Sequence, residues 1–276
     1  MELNYTNHLN KTKFMKTLRL FGIALLTVLM SVSFSACGDD ESSDGDKPSN
    51  NKRLVKVTTQ EGNSTFSDEF TYDSNGRVVK VVNKKNGNNS GHIIYTYTDN
   101  LIVKKQYYTG SSSVSETQYE LENGLIAKKS YGKYINYTYN NGYLATLTRS
   151  KGGVTRNFTW KDGNLQSLKS VDSESEESYE YASYATPKDF IYLDFIDDVD
   201  GELAPFYGKS SKNLPSKRIE VNVNDVSSIG NPNATEKVTE VSSYDWTMKD
   251  GLPVKLIVTE EKQSGSSTMI VDFEWE

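Results

Sequence analysis

The sequence predicts an all-β protein: one large antiparallel meander of repeated hairpins, curled into a barrel-like shell standing in water, with one short helix inserted. Two observations carry this. The phrase YTYNNGYL, Tyr137 to Leu144, sets two aromatics one residue apart before an Asn-Asn-Gly corner and then resumes with apolar residues. Aromatic residues on a period of two read as a half-buried strand, and Asn-Gly supplies the positive φ angles of a two-residue hairpin turn. The phrase also recurs. FTYDSNGRV (Phe70 to Val78), YTYTDNL (Tyr95 to Leu101), YELENGL (Tyr119 to Leu125), FTWKDGNL (Phe158 to Leu165) and YDWTMKDGL (Tyr244 to Leu252) repeat it, with corners at 76, 100, 124, 142, 163 and 251. Successive corners are 24, 24, 18, 21 and 88 residues apart, the last read as four steps of 22. Such a period marks stacked units that bury their faces only together.

In chain order, the first element is an address. Lys16 and Arg19 precede the apolar run Leu20 to Met30, which is too short for the 18 or so residues of a spanning helix and is followed by the small-residue stretch SVSFSAC. Residues 1–36 are read as a signal peptide whose true start is Met15, cut between Ala36 and Cys37. Cys37 is the chain's one cysteine, so it has no internal partner. Gly38 to Asn51 is acidic and poor in apolar residues, so 37–52 is expected to be a disordered linker.

Residues 53–276 form the hairpin-repeat domain. Tight corners are expected at one end of the sheet and looser Gly- and Ser-rich connections at the other, at Gly87 to Gly91, Gly110 to Ser113, Gly152-Gly153 and Ser264 to Ser267. About sixteen strands of mostly seven or eight residues result, and a sheet beyond about ten strands curls, splits or closes. Bilayer spanning is not expected: RVVKVVNKK (Arg77 to Lys85) and LIVKKQYY (Leu101 to Tyr108) place lysines on both faces. The interruption lies at Thr186 to Gly201. There Thr186 can cap, Pro187 suits the first helical position, and positions 192, 195, 196 and 199 keep helical spacing, so Pro187 to Val199 reads as a helix packed on an end or in the lumen.

Several resemblances rest on these residues. Phe34-Ser35-Ala36-Cys37 resembles a bacterial lipobox with Phe34 in place of the usual Leu, which implies that Cys37 is lipidated, and the acids after it look like the surface-export signal of Bacteroidetes-type lipoproteins. FTYDSNGRV is similar to the tyrosine-aspartate repeats of bacterial surface shells. The whole plan, including the stretch Gly208, Ser210, Ser211, Asn213, Leu214 and Pro215, resembles an uncharacterised Bacteroidetes-type lipoprotein family, a domain of unknown function with a porin-like fold. The resemblance implies an outer-membrane protein, lipid-anchored and facing the cell exterior, with the periplasm as the alternative. It departs from the pattern at Asp99-Asn100, a corner without glycine.

The chain contains few residues suited to catalysis. With His8 removed in the signal peptide, His92 stands alone, and no Ser-His-Asp triad, Cys-His pair or His-ligated metal cluster can be built. The acids Asp194, Asp197, Asp198, Asp200 and Glu202 do not fit a calcium loop and are read as a solvated cluster. The chain carries a net charge of −6, and beyond residue 36 it has 27 basic against 36 acidic residues, which disfavours nucleic acid. The aromatic pairs Phe70/Tyr72, Tyr95/Tyr97, Tyr137/Tyr139, Phe158/Trp160, Tyr179/Tyr181, Tyr244/Trp246 and Phe273/Trp275 are read as core, with a groove in which sugar rings stack as the alternative. No cofactor and no metal site follow. The functional expectation is a non-catalytic surface module for glycan or another extracellular polymer. Its alternatives are a subunit of an outer-membrane assembly, with a surface protein as partner, and last a carboxylate glycoside hydrolase; oligomeric state is left open.

Overall fold

The structure, a computed structural model, describes residues 52–276 apart from 151–152, 154, 172–174, 189, 191–197 and 226–234. Ala36, Cys37, the linker and most of the expected Pro187–Val199 helix lie outside the described residues. Sixteen antiparallel strands close into one barrel in sequence order. They are β1 (Leu54–Glu61), β2 (Ser64–Tyr72), β3 (Val78–Lys85), β4 (Asn88–Tyr97), β5 (Leu101–Tyr108), β6 (Val114–Glu122), β7 (Leu125–Ser130) and β8 (Tyr134–Asn140). The second half runs β9 (Tyr143–Arg149), β10 (Thr155–Lys161), β11 (Asn164–Ser170), β12 (Glu176–Ala185), β13 (Asn213–Asp225), β14 (Thr235–Lys249), β15 (Leu252–Lys262) and β16 (Gly265–Trp275). Closure is direct, since β1 and β16 pair from Lys56↔Glu274 to Glu61↔Met269. The main chain of Arg53 and Glu276 exchanges two further bonds beyond them.

Several expectations need adjustment. The strands β13 to β16 have 11 to 15 residues, longer than the repeat suggested. The 88-residue step therefore holds two hairpin steps, not four, the remainder being a long β12–β13 connection. The described residues of the expected helix, Pro187, Lys188, Phe190, Asp198 and Val199, are turn or irregular backbone. The short helix that is described is a 3-10 segment at Gly201–Tyr207. Two of the connections expected to be loose are tight: Asn86-Gly87 and Gln263-Ser264 join adjacent strands directly.

At the corners, Asn141 and Asp162 both sit at φ 52 and are followed by Gly142 and Gly163 at φ 80 and 82, the double positive φ that suits the right-handed twist of a hairpin. The glycine-less corner also forms, with Thr98 N–H donating to the Leu101 carbonyl. All six corners lie at the end that carries Arg53 and Glu276.

Strand alternation sorts the two faces. Outward positions pair Lys56 with Glu274, Lys84 with Glu69, Lys105 with Glu116, Lys128 with Glu120, and Lys255 with Asp272. Exposed pairs add about 0–1 kcal/mol each, but a wall that bears them is suited to water and not to hydrocarbon. The buried apolar side chains point inward. Val81, Ile93, Ile102, Tyr119, Ile126, Ile135, Leu147, Leu256 and Val271 are fully buried and make the lumen the core.

The aromatic pairs belong to that core, and their second members also bridge strands. On the corner side, seven seams between neighbouring strands stop pairing early: β9–β10 after Thr146↔Asn157, β3–β4 after Lys80↔Ile94, β15–β16 after Lys255↔Asp272, and likewise β1–β2, β7–β8, β11–β12 and β13–β14. Across each gap the second aromatic donates to a main-chain carbonyl of the preceding strand. Tyr72 reaches Leu54, Tyr97 Val78, Tyr139 Ile126, Trp160 Leu144, Tyr181 Leu165, Trp246 Pro215 and Trp275 Pro253, at 2.5 to 2.8 Å. This explains why position two of the pair is Tyr or Trp whereas position one is Phe or Tyr: a buried carbonyl left unpaired costs about 1–3 kcal/mol. The eighth seam, β5–β6, has Leu121 at that place. Its ladder stays closed to Leu101↔Glu120, with Leu121 N–H bonded to the Asn100 carbonyl.

Candidate functional site

The β12–β13 connection folds back into the corner end of the barrel, and charge holds it there. Asp200 enters the lumen and accepts from Lys104 of β5 at 2.6 Å and from Lys129 of β7 at 2.5 Å. Burial would push the Asp200 carboxyl up, but the two ammonium groups outweigh it and hold it well below the usual carboxylate range. Asp198, at φ 75, pairs with Arg149 of β9, while its carbonyl accepts from the Tyr137 hydroxyl at 2.8 Å and from Lys129. A positive φ on aspartate persists where surrounding contacts fix it, as these do. Asp198 and Asp200 are thus ion-paired and not solvated, while Asp194 and Asp197 of the expected cluster lie outside the described residues. The compensating charge of Asp198 and Asp200 is supplied by lysines and arginine from the wall, and the sequence could not show this because those residues lie 49 to 96 positions away.

Two more acids face the same space. Burial pushes Asp68 up to about 7 against a hydrogen bond from Asn83, with the charge of Glu202 adding to the rise. Burial likewise raises Glu202, opposed by Lys104. Glu202 lies near the ion-paired Asp200 and near Asp68, so the acids of the connection meet one from the wall. Among the described residues no three His, Cys, Asp or Glu side chains are placed to share a metal ion.

Apolar contacts complete the plug. Phe206 stacks on Tyr97 at 5.7 Å, Tyr207 meets Tyr137 edge-on at 5.2 Å, and Phe190 sits among Trp246, Phe273 and Trp275. The stretch after the helix then straps two corners. Lys209 N–H donates to the Gly142 carbonyl at 2.7 Å, Lys212 N–H to the Gly163 carbonyl at 2.9 Å, and Ser211 Oγ accepts from Leu165 N–H. Gly208, at φ 86, passes so close to the Gly142 carbonyl that any Cβ would collide with it. The last three residues singled out from that stretch in the sequence are engaged as well. Asn213 pairs with Asn164, Leu214 is 2 % exposed, and Pro215 accepts from Trp246.

The two strapped corners flank the β9–β10 seam, and there the wall is open to solvent. A cleft of about 460 Å³ lies between the β8–β9 and β10–β11 hairpins. Tyr143 and Trp160 set their rings 4.7 Å apart, tilted by 37°, in its lining, and Leu144, Ala145 and Phe158 add apolar surface. Asn140, Asn141, Thr159, Lys161 and Asp162 supply amide, hydroxyl and charged groups around them. Beneath the Trp160 indole, between the wall and the plug, lies a second, apolar cavity of about 60 Å³. Apart from Phe158 and Trp160, which also line the cleft, the rings of the aromatic stripe face the lumen and form no solvent groove. Tyr143 stands outside that stripe and was not singled out from the sequence. Its signal was present, since it is the one ring that directly follows a corner.

Comparison with known proteins bears on this architecture. The structure is similar to a porin-like protein from Bacteroides uniformis ATCC 8492, with a TM-score of 0.58 at 15% identity over 81% of this chain and 96% of that one. The fold is porin-like. A porin-like protein from Bacteroides vulgatus ATCC 8482 gives a TM-score of 0.50 at 13% identity, covering 81% and 98%. No family model matches the chain, and no curated protein does. At these identities the likeness concerns the barrel alone, and the charged outer wall distinguishes this porin-like barrel from one that faces lipid.

Proposed function

We propose that this protein is an outer-membrane lipoprotein, anchored through Cys37 and facing the cell exterior, that binds glycan without transforming it, in the cleft between the β8–β9 and β10–β11 hairpins. The observation that carries the reading is the open seam: two rings, Tyr143 and Trp160, are set in a cleft of about 460 Å³ rimmed by Asn140, Asn141, Thr159 and Asp162. That volume falls in the roughly 300–1,000 Å³ range of small-ligand sites. Pyranose rings offer apolar C–H faces to aromatic rings and hydroxyls to amides and carboxylates, so both halves of the lining have a counterpart. The net negative charge supports a neutral polymer over nucleic acid. A glycan array followed by calorimetry on the 53–276 domain tests it. Millimolar or tighter binding to at least one polysaccharide is expected, weakened at least tenfold by Tyr143→Ala; no binding to any glycan, or binding indifferent to Tyr143→Ala, overturns it. Anchoring is checked separately: Cys37→Ala should leave an unprocessed or soluble product, and membrane-bound protein of unchanged mass would contradict it.

A further inference from the structure

We infer that the outer cleft and the apolar cavity beneath it are one bipartite site, divided by the Trp160 indole, and that its preferred ligand is a glycoside carrying a small apolar or aromatic aglycone. The inference rests on the glycan reading above and narrows its ligand class. Trp160 and Leu144 line both spaces. The outer face of the partition is wet and polar-rimmed, whereas the inner space is walled by Leu165, Phe190, Val199, Ala204 and Leu214. A sugar seated on Tyr143 would thus have an apolar chamber one indole thickness away.

The partition is held in the same way as the second aromatics at the other six bridged seams, with the Tyr143 ring 4.7 Å away. One hydrogen bond, Trp160 Nε1–H to the Leu144 carbonyl at 2.8 Å, fixes the polar edge of the ring. The β9 and β10 backbones on either side are unpaired with one another beyond Thr146↔Asn157, so no ladder has to break for the indole to swing. A sugar hydroxyl can donate to the Leu144 carbonyl that the indole leaves, and an apolar group entering the chamber takes over the contacts the ring gives up. The chamber's lining is mostly apolar, with Thr186, Ser211 and Asn213 among its polar members, so it suits an apolar group better than water, which needs two to four polar partners. The rim on the plug side is formed by Lys209, Ser210 and Ser211, so an aglycone that enters also touches the strap joining the two hairpins.

The test compares methyl and phenyl β-glycosides of glucose, galactose, mannose and N-acetylglucosamine by calorimetry on the 53–276 domain. For at least one sugar the phenyl form is expected to bind about tenfold tighter than the methyl form. Ala204→Val, which narrows the inner chamber without touching the cleft, should abolish that gain and leave the methyl glycoside unchanged. Should the variant fail to fold, fluorine NMR of 5-fluorotryptophan-labelled wild type gives a second readout, the chain having three tryptophans. The resonance that disappears in Trp160→Tyr should shift further with the phenyl than with the methyl glycoside. Equal affinities, with equal shifts, overturn the bipartite site while leaving glycan binding intact. Absence of binding to every glycoside and every array glycan removes both readings together.

Discussion

Between β5 and β6 the ladder runs up to Leu101↔Glu120 and on through Leu121 N–H to Asn100, whereas between β9 and β10 it stops after three residue pairs and Trp160 crosses the gap. Both seams belong to the same repeat and end at the same rim of the barrel. The difference is one side chain. A Tyr or Trp at the second aromatic position brings its own donor to the neighbour's carbonyl, so the strands can stand apart without leaving that group unpaired; Leu121 has no donor, and the backbone must zip instead. Side-chain bridging and main-chain pairing are thus alternative ways to satisfy the same rim, and only the first leaves room for a cleft.

The largest expected effect comes from detaching the plug that straps the open seam. Asp200→Ala leaves Lys104 and Lys129 in the lumen without the carboxylate they share, and breaking a buried ion pair costs about 3–5 kcal/mol. Guanidinium unfolding should show a loss of that order, and amide exchange should rise first at Lys209 and Lys212. A loss confined to β5–β6 would break the comparison.

Next, Trp160→Phe keeps a ring but removes the N–H. A cost of about 1–3 kcal/mol is expected from the orphaned Leu144 carbonyl, with faster exchange along Tyr143 to Ala145. Leu121→Ala sharpens the contrast: it trims a half-buried side chain for about 1 kcal/mol and should leave the Leu121 amide protected, because that bond is backbone to backbone. Fraying at Leu121 equal to that at Trp160 would show the seams to be equivalent.

The smallest effect is one of pH. Asp68 has its folded carboxyl raised to about 7, so between about pH 4 and 7 the folded chain holds a proton that the unfolded chain has released. Stability should therefore decline as pH rises through that window, and Asp68→Asn should flatten the decline. Asp200 acts in the opposite sense, its lowered carboxyl withdrawing stability as pH falls below about 4. Denaturation midpoints from pH 3 to 8 would separate the two.

The barrel was legible because its signals are local. Asn141-Gly142 and Asp162-Gly163 specify turns within four residues, and the period-two aromatics specify which face is buried. The site was not, because it depends on register. Nothing near Asp200 in the chain names Lys104 or Lys129, and nothing near Trp160 says that β9 stops pairing after Thr146. Asp198 and Asp200 were misread for the same reason: their compensating charges come from strands that only closure brings round. Tyr143 lay within reach of a closer reading, since a ring directly after a corner breaks the repeat where the cleft opens.

The most direct test of the account is backbone NMR mapping on the 53–276 domain with the tightest glycan from the array. Shifts are expected at Asn140 to Ala145 and Phe158 to Gly163, around the rim of the open seam, with Leu101 and Glu120 of the closed seam unmoved. Shifts confined to the outer wall or to the opposite end of the barrel, with Tyr143 and Trp160 unmoved, would contradict it.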